Sequence, residues 1–295
     1  MEEVVAKSIL SKKSDGDYWF GVMYNMNLYR GCSHGCIYCD SRSDCYRVNN
    51  FDQVKVKRDA LLILERELIS KRKKGVIGIG SMSDSYNPLE VGLKLTRGAL
   101  ELIERYGFGI SLETKSVLIE RDVDILKKIN EKNDVIIKFT ITCADDELAS
   151  RIEPYTNVSS DRFRVMKKLS DEGIVVGVLM MPLLPYINDT VENVKEIVRK
   201  SYENGAKFIY SSFGVTLRDN QREYYYEKLD LLFPWLKNKY IKEYGFKYSC
   251  VSKNHKELSK IFKEECDRYG LLYKMGDIIK LYQNKTEVNE QITLF

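Results

Sequence analysis

The apolar residues between about residues 59 and 210 alternate between two spacings, and this alternation constrains the fold most. Segments with helical spacing, such as RDALLILERELISKRKK and RDVDILKKINEKN, are each followed by a short apolar run, such as GVIGIG and DVIIKFTIT. With MYNMNLYRG as the opening strand, the chain contains about six strand–helix units. Alternation of this kind predicts a parallel sheet with right-handed crossovers, which forms either a barrel or an open doubly wound sheet.

The loop after the opening strand favours the barrel. No G-x-G-x-x-G follows this strand, which argues against a dinucleotide-binding fold. A cysteine-rich loop stands there instead, and barrel enzymes place their active sites at the carboxyl ends of the strands. The sequence therefore predicts an α/β fold with a partial (β/α)6 TIM-type barrel over residues 1–213. We predict that residues 214–284 form a mainly helical C-terminal extension and that residues 285–295 form a mobile tail.

The composition is that of an ordinary soluble globular protein. The 295 residues are 44% hydrophobic and 31% charged, and they contain no apolar run long enough to span a membrane. The N-terminus lacks the pattern of a signal peptide, so we expect a cytoplasmic protein. In a reducing compartment, clustered thiols indicate metal binding or catalysis rather than disulfides. The net charge of +4 permits nucleic-acid binding without requiring it.

Three cysteines in the loop after the opening strand have the spacing of a metal centre. Cys32, Cys36 and Cys39 follow the pattern C-x3-C-x2-C, with Tyr38 directly before the third. Three thiolates can hold three irons of a 4Fe-4S cluster and leave the fourth iron without a protein ligand. An open coordination position is characteristic of a catalytic rather than a structural metal centre.

A zinc site is the alternative for the same loop, with His34 or Cys45 as the fourth ligand. Zinc sites usually use paired C-x2-C knuckles, and the sequence contains no second pair. The iron–sulfur interpretation is therefore favoured, and a non-enzymatic zinc-binding nucleic-acid module stays as an alternative. Cys45 is also a candidate redox or substrate-contacting thiol, although a packed structural cysteine is more common.

The cysteine spacing, with an aromatic residue before the third cysteine, resembles the signature of the radical S-adenosylmethionine (SAM) superfamily. This resemblance implies two cofactors, a 4Fe-4S cluster and SAM, whose amino and carboxylate groups bind the open iron. It places Tyr38 near the adenine of SAM. It also implies a reducing electron donor such as flavodoxin or ferredoxin.

Segments at the strand ends resemble the spore photoproduct lyase-like branch of this superfamily, often labelled "DNA repair photolyase". In GSMSDSYNPLE, the resemblance makes Ser83 and Asp84 candidates for binding the SAM amine, although Asp84 could simply cap a turn. In ETKS it makes Lys115 a candidate for the SAM carboxylate. In KFTIT it places the Thr140 hydroxyl toward the cofactor, and in RIEP it offers Glu153 as a further cofactor contact.

This resemblance implies a lyase-like enzyme that cleaves SAM reductively to a 5′-deoxyadenosyl radical. It favours a nucleic-acid substrate, through DNA lesion repair or base modification, and a protein or small metabolite is the alternative substrate. The lyase has a hydrogen-donating cysteine two positions before its Ser-Asp pair, where this chain has Ser81. Because an O–H bond is much stronger than an S–H bond, repair of the spore photoproduct itself is not expected. Cys45 and a tyrosine, Tyr86, are the candidates to replace that cysteine as catalytic residues.

The C-terminal region combines arginines with aromatic residues. Such interleaving can bind nucleic acid, and Arg218 and Arg222 are candidate phosphate or substrate contacts. Tyr225, Leu229 and Leu232 recur at helical spacing, however, and this spacing favours a helix that packs on the core.

The final residues, QITLF, resemble the peptide by which bacterial DNA polymerases and repair proteins bind the sliding clamp. In that mode Leu294 and Phe295 would fill a pocket and Gln291 would form a hydrogen bond at its rim. A passive tail is the alternative.

Overall fold

The structure is a computed structural model that describes residues 2–14 and 19–283. Its strands are β1 Glu3–Val4, β2 Leu10–Lys12, β3 Tyr24–Met26, β4 Tyr29–Arg30, β5 Lys55–Lys57, β6 Val76–Ile79, β7 Gly109–Thr114, β8 Val135–Thr140, β9 Val175–Met180, β10 Phe208–Ser211, β11 Gly214–Thr216 and β12 Ser249–Val251. Its helices are α1 Ala60–Ser70, α2 Glu90–Leu93, α3 Leu95–Arg105, α4 Val123–Lys132, α5 Asp146–Ile152, α6 Ser159–Asp171, α7 Val191–Glu203, α8 Gln221–Leu232, α9 Leu236–Tyr244, α10 His255–Tyr269 and α11 Met275–Tyr282. The predicted tail with Gln291, Leu294 and Phe295 lies outside the described residues.

Within the described part of the chain, six parallel strands form the central sheet in the order β3, β6, β7, β8, β9 and β10. Strand β2 pairs antiparallel with β3 and extends the sheet at one edge. Neighbours in the parallel part also follow one another along the chain, so the strand order does not reverse as it does in a doubly wound sheet. The predicted α/β fold class is confirmed, with the strand order of an open, partial (β/α)6 barrel.

Both faces of the parallel sheet are covered, which explains why its strands read as nearly continuous apolar runs. Side chains on the outer face pack in the large core beneath the helices and include Ile77, Leu112 and Ile137. Side chains on the inner face form a second cluster that includes Ile136, Leu179 and Phe208, together with Phe20 and Ile278. The segment before β3 and helix α11 therefore fill the interior of the barrel.

The predicted helices between residues 59 and 210 are present, but some boundaries differ. Helix α1 ends at Ser70, before the basic run KRKK. The helix predicted over residues 89–107 is divided into α2 and α3 by Lys94, whose φ of 51° interrupts the helical backbone. Gly107 follows α3 with a φ of 71°, as predicted for a glycine that ends a helix. The short helix α5 was not predicted.

The C-terminal extension is mainly helical, but it also contains an antiparallel ribbon of β11 and β12 that the sequence did not predict. Helix α10 packs against α7, and its residues Leu258 and Phe262 join the core of the barrel. Tyr225 and Leu229 of α8 are fully buried, which confirms that this helix packs on a core. Within residues 2–14 and 19–283, no helix has the length and apolar character needed to cross a membrane.

Candidate active site

A cavity of about 320 Å³ lies at the carboxyl ends of the parallel strands. The three cysteines of the predicted cluster loop line it on one side. Five further candidates from the sequence line the same cavity: His34, Tyr38, Asp84, Lys115 and Thr140. Residues that are distant in sequence are thus brought together by the common direction of the strands, as in barrel enzymes.

The cysteine loop is held in place by backbone hydrogen bonds. The N–H of Cys32 donates to the carbonyl of Phe51 at 2.8 Å, and the N–H of Ile37 donates to the carbonyl of Ile152 at 3.0 Å. Gly31 has a φ of 81°, and a Cβ there would lie 2.5 Å from the carbonyl oxygen of Phe51. The loop therefore requires glycine immediately before its first cysteine.

The three thiols of Cys32, Cys36 and Cys39 are free, and the first two are buried. Burial raises the pKa of Cys32 to about 11 and raises the pKa of Cys36 and Cys39 as well. Iron binds the deprotonated thiolate, so binding of a metal would release these protons.

Lys115 lies at the end of β7 with its ammonium 5.7 Å from the centre of the Tyr38 ring. Burial would lower the pKa of Lys115, but the Cys36 sulfur when it is ionised, and the Glu153 carboxylate, raise this pKa above its ordinary value. The side chain is therefore a cation fixed beside the cysteine loop. Such a cation can bind a carboxylate.

Asp84 connects the loop after β6 to the end of β7. Its carboxylate accepts hydrogen bonds from the N–H of Tyr86 at 2.9 Å, the hydroxyl of Thr114 at 2.7 Å and the N–H of Lys115 at 2.8 Å. Nδ1 of His34 lies 3.5 Å from the same carboxylate, and burial lowers the pKa of this histidine. Asp84 lines the cavity, but most of its hydrogen-bonding capacity is used within the protein.

Ser83 is placed differently from its neighbour. It is buried, and its hydroxyl donates to the carbonyl of Gly31. The side chain thus holds the cysteine loop against the loop after β6. This position gives Ser83 a role in positioning the loop and does not support direct contact with SAM.

Glu153 lies behind Tyr38 in a buried network. Its carboxylate accepts a hydrogen bond from the Tyr38 hydroxyl and forms an ion pair with Arg162 at 2.6 Å. Arg162 also donates to the carbonyl of Thr140 at 2.8 Å. Burial would raise the pKa of Glu153, but the charges of Arg162 and Lys115 lower it overall. The network fixes the orientation of the Tyr38 ring, and the sequence did not identify Arg162 as a member of it.

Further candidates from the sequence also lie outside the cavity lining. Tyr86 is 1% exposed, and its hydroxyl donates to Asp122 at 3.1 Å, so the structure does not support it as a catalytic residue. Cys45 is exposed, and its sulfur lies 3.3 Å from a guanidinium nitrogen of Arg218. Arg222 is buried and donates to backbone carbonyls of the extension, so it is not available to a phosphate.

The sequence missed several residues that line the cavity, including Trp19, Glu113 and Met181. Glu113 precedes Lys115 by two positions in a strand, so the period of two predicts that both side chains leave the strand on the same side. That signal could have identified Glu113. Nothing in the local sequence indicates that Trp19 folds back to the cavity.

The side chains at the cavity fit an iron–sulfur cluster with SAM beside it. Three free thiols from one loop face a cavity that is also lined by the half-buried Lys115. Among the described residues, no group of three His, Cys, Asp or Glu side chains is arranged to hold a single metal ion. A cluster takes each thiolate to a different iron, so it does not require the thiolates to converge on one ion.

Comparison with known proteins identifies the family. Residues 26–200 match the model of the Radical SAM superfamily, and this match covers more than half of the chain. An uncharacterized protein of Mycobacterium tuberculosis is 27% identical over 245 residues, which are 81% of this chain and 72% of that protein. An uncharacterized protein of Methanocaldococcus jannaschii is 32% identical over 171 residues, which are 57% of this chain and 63% of that protein.

Solved structures share the fold. Spore photoproduct lyase complexed with dinucleoside spore photoproduct superimposes with a TM-score of 0.65 and 15% identity, covering 90% of this chain and 79% of the lyase. A mutant of the lyase with bound AdoMet and the same photoproduct gives a TM-score of 0.66 at 14% identity, covering 92% and 81%. The family match, together with this fold and the cysteine loop, shows that the chain belongs to the radical SAM superfamily.

Proposed function

We propose that this chain is a radical SAM enzyme that acts on a nucleic-acid substrate, in lesion repair or base modification. When bound, a 4Fe-4S cluster and SAM would supply reductive cleavage to a 5′-deoxyadenosyl radical, which abstracts a hydrogen atom from the substrate. The observation that carries the proposal is the single cavity that unites three free thiols with Tyr38 and Lys115.

The residues around the cavity have distinct parts in this proposal. Cys32, Cys36 and Cys39 would hold the cluster, and the Lys115 ammonium would bind the carboxylate of SAM. The ring of Tyr38 would lie against the adenine, in an orientation fixed by its hydrogen bond to Glu153. Family membership favours these assignments over the zinc-binding alternative. An electron donor such as flavodoxin or ferredoxin completes the proposal.

A surface beside the cysteine loop supports a nucleic-acid substrate. Arg218 is partly exposed, and its guanidinium lies 3.0 Å from the hydroxyl of Tyr248, which is 50% exposed. Phe246, two residues before Tyr248, is 96% exposed. A cation combined with exposed aromatic rings can bind a phosphate and stack on bases. The structural neighbour bound to dinucleoside spore photoproduct adds support for this substrate class.

Ser81 lines the cavity at the position where the lyase-like resemblance would require a cysteine. A hydroxyl does not readily donate a hydrogen atom to a carbon radical, because its O–H bond is too strong. We therefore propose a reaction other than repair of the spore photoproduct. Replacing Ser81 by Cys would place a hydrogen-atom donor in the cavity.

Anaerobic reconstitution tests the cofactor assignment. The protein should take up iron and sulfide, and the electron paramagnetic resonance signal of the reduced cluster should change when SAM is added. With dithionite it should release 5′-deoxyadenosine. A triple variant with Ala at all three cluster cysteines is the control and should take up no cluster. A wild-type protein that takes up no iron contradicts the proposal.

DNA binding tests the substrate class separately. We expect damaged or single-stranded DNA to bind with an affinity that falls as salt increases, because phosphate contacts release counterions. Arg218→Ala should weaken binding, whereas Arg164→Ala, an exposed arginine of α6, should not. If no DNA binds at low salt, a protein or small-metabolite substrate replaces a nucleic acid. The clamp-binding function of Gln291, Leu294 and Phe295 stays a proposal from the sequence, tested by binding of the purified clamp.

A further inference from the structure

Strand β7 directs every second side chain into the barrel. Glu113 and Lys115 both line the cavity, and Ser111 is fully buried on the same side of the strand. Two residues of strand span about 6.6 Å, so Glu113 leaves the backbone about that much deeper in the barrel than Lys115. Glu113 therefore leaves the sheet nearer the amino end of β7 than Lys115 does.

Lys138 of the neighbouring strand β8 pairs with this carboxylate inside the barrel. Its side chain is 2% exposed. The ammonium lies 3.5 Å from Oε2 of Glu113 and donates to the hydroxyl of Ser111 at 3.0 Å. The centre of the Phe20 ring lies 4.3 Å from the same nitrogen. A buried ammonium is strongly disfavoured unless an anion accompanies it. Lys138 thus fixes the position of Oε2 of Glu113.

Glu113 differs from the other carboxylate that lines the cavity. Asp84 accepts hydrogen bonds from two backbone N–H groups and a hydroxyl. Within the described residues, the Glu113 carboxylate has one polar side-chain contact, which its Oε2 makes with the Lys138 ammonium. A carboxylate oxygen can accept more than one hydrogen bond. Oε1 therefore retains acceptor capacity for a ligand.

Three other residues that line the cavity are apolar or aromatic, and one of them has a large flat ring. Trp19, Leu179 and Met181 line the cavity with Glu113. The Trp19 ring is held by an edge contact with Tyr210, whose ring centre lies 5.2 Å away. Aromatic and apolar surfaces bind the faces of a planar base, and a carboxylate accepts hydrogen bonds from its edge. The combination fits a planar heterocycle with an N–H at its edge.

We propose that Glu113 is the substrate-recognition residue, and that its Oε1 accepts a hydrogen bond from the ring N–H of a nucleobase turned out of its strand. Thymine, uracil and guanine carry such an N–H on the ring. Cytosine and adenine have a lone pair on the corresponding ring nitrogen, which a carboxylate repels, and their amino N–H groups lie to one side of that nitrogen. Lys138 acts through Glu113 and is a positioning residue. This inference rests on the proposed nucleic-acid function and specifies the group that the site takes.

The test uses the reconstituted full chain and short single strands that carry one base among abasic nucleotides. Fluorescence anisotropy at fixed salt gives the affinity for strands with thymine or cytosine, two pyrimidines of similar size. The wild-type protein should bind the thymine strand about tenfold more tightly, which is about 1.4 kcal/mol, because only thymine donates its ring N–H to the charged carboxylate. Glu113→Gln should reduce this ratio to about twofold or less, because the charge is lost and the amide also donates.

Two further variants control for folding and location. Glu113→Leu combined with Lys138→Met removes the ion pair without leaving a buried charge unpaired, and it should abolish the thymine preference. This double variant replaces Glu113→Gln in the test if the single variant folds poorly. Glu101→Gln replaces an exposed glutamate of α3 and should keep the wild-type ratio. SAM affinity, measured by equilibrium dialysis, should stay within about twofold of wild type in each variant.

The outcomes separate the inference from the proposed function. If Glu113→Gln keeps the wild-type thymine preference, or if the wild-type protein has no such preference, the inference is overturned and the nucleic-acid function stands. A loss of SAM affinity by about tenfold in Glu113→Gln would assign the residue to SAM and overturns the inference as well. If the wild-type protein binds none of these strands, both the nucleic-acid function and the inference fail.

Discussion

At the scale of the residue, Lys115 shows how position determines function. A partly buried lysine loses hydration, and the negative groups around it must compensate for that loss. Here the Glu153 carboxylate provides this compensation, and the Cys36 sulfur adds to it when it is ionised. The charge is therefore fixed in place before any ligand binds, which reduces the cost of binding an anion.

We expect Lys115→Met to weaken SAM binding by at least about tenfold, because a hydrogen bond between charged groups contributes about 1.5–3 kcal/mol. Iron content should not change, since the three thiols remain. Equilibrium dialysis with SAM and an iron assay on the reconstituted protein measure the two effects. Lys127→Met is the matched control, because Lys127 lies on the surface and pairs with Glu172. Unchanged SAM affinity in Lys115→Met would remove this residue from the site.

The sequence predicted part of the site for a clear physical reason. Residues at the carboxyl ends of parallel strands converge, so Lys115 and Thr140 could be assigned to one cavity from the strand pattern and the family resemblance. The direction of a side chain in an irregular loop is not periodic, and for this reason the sequence did not predict that the hydroxyls of Ser83 and Tyr86 donate to Gly31 and Asp122. The same period of two in the strand also applies to Glu113, but no sequence motif marks this residue.

At the scale of the element, Arg162 joins three parts of the chain. It projects from α6, pairs with Glu153 at the end of α5 and donates to the carbonyl of Thr140 at the end of β8. It is fully buried, as is Glu153. Removing one partner of such a pair leaves an uncompensated charge in the core.

Arg162→Met should therefore lower the free energy of unfolding by about 3–5 kcal/mol, which urea denaturation would measure. Arg164→Met is the matched control on the same helix, since Arg164 is exposed and pairs with Glu120 at the surface. The control should change stability by about 0.5 kcal/mol or less. Equal effects of the two substitutions would contradict the importance of the buried pair.

The same pair predicts a dependence on pH. The fold lowers the pKa of Glu153. Its contribution to the free energy of unfolding is therefore fully present at pH values above the ordinary pKa of a glutamate, about 4.3. The contribution is lost as the pH falls through the lower folded value, because the unfolded state then binds the proton more readily. We expect the stability difference between wild type and Arg162→Met to narrow below about pH 4. A constant difference in urea unfolding across this range would refute the assignment.

Gly80 shows how closely β6 and β7 approach at the cavity. It has a φ of 101°, and a Cβ there would lie 2.1 Å from the carbonyl oxygen of Glu113. We expect Gly80→Ala to destabilise the fold by more than about 1 kcal/mol, as measured by thermal unfolding. Gly92→Ala in α2 is the control, because a Cβ there has no neighbour within 4 Å, and it should be neutral or stabilising.

The elements themselves were predictable where their signals are local. The helices and strands of the barrel repeat over many residues, so their periods identify them. The ribbon of β11 and β12 was missed because each strand has three residues and its partner is distant in sequence. The break at Lys94 was also missed, since Lys94 is neither proline nor glycine and the helical pattern of apolar residues continues across it.

At the scale of the whole molecule, the C-terminal extension holds the cysteine loop. Gln221 at the start of α8 is fully buried and donates to the carbonyl of Tyr38 at 3.0 Å. Asn220 donates to the carbonyl of Arg42 at 3.1 Å, and the Thr216 hydroxyl donates to Asp40 at 3.3 Å. The position of the cysteine loop thus depends on both the barrel and the C-terminal extension.

Gln221→Leu should reduce the iron content after reconstitution and accelerate loss of the cluster to a chelator. The reason is that the Tyr38 carbonyl of the loop loses its hydrogen bond to the C-terminal extension. Circular dichroism should still show a folded barrel. Gln53→Leu provides the comparison, since its exposed side chain lies beside the same loop. Iron retention equal to wild type in Gln221→Leu would show that the extension does not secure the loop.

The bond between Gln221 and Tyr38 joins residues that are 183 positions apart. During synthesis, the thiols leave the ribosome long before the residue that secures them. We expect iron delivery in the cell to follow completion of the chain, and a stalled nascent chain that ends before α8 should retain little metal. Cells that make this protein would then have to protect its exposed thiols from oxidation during translation.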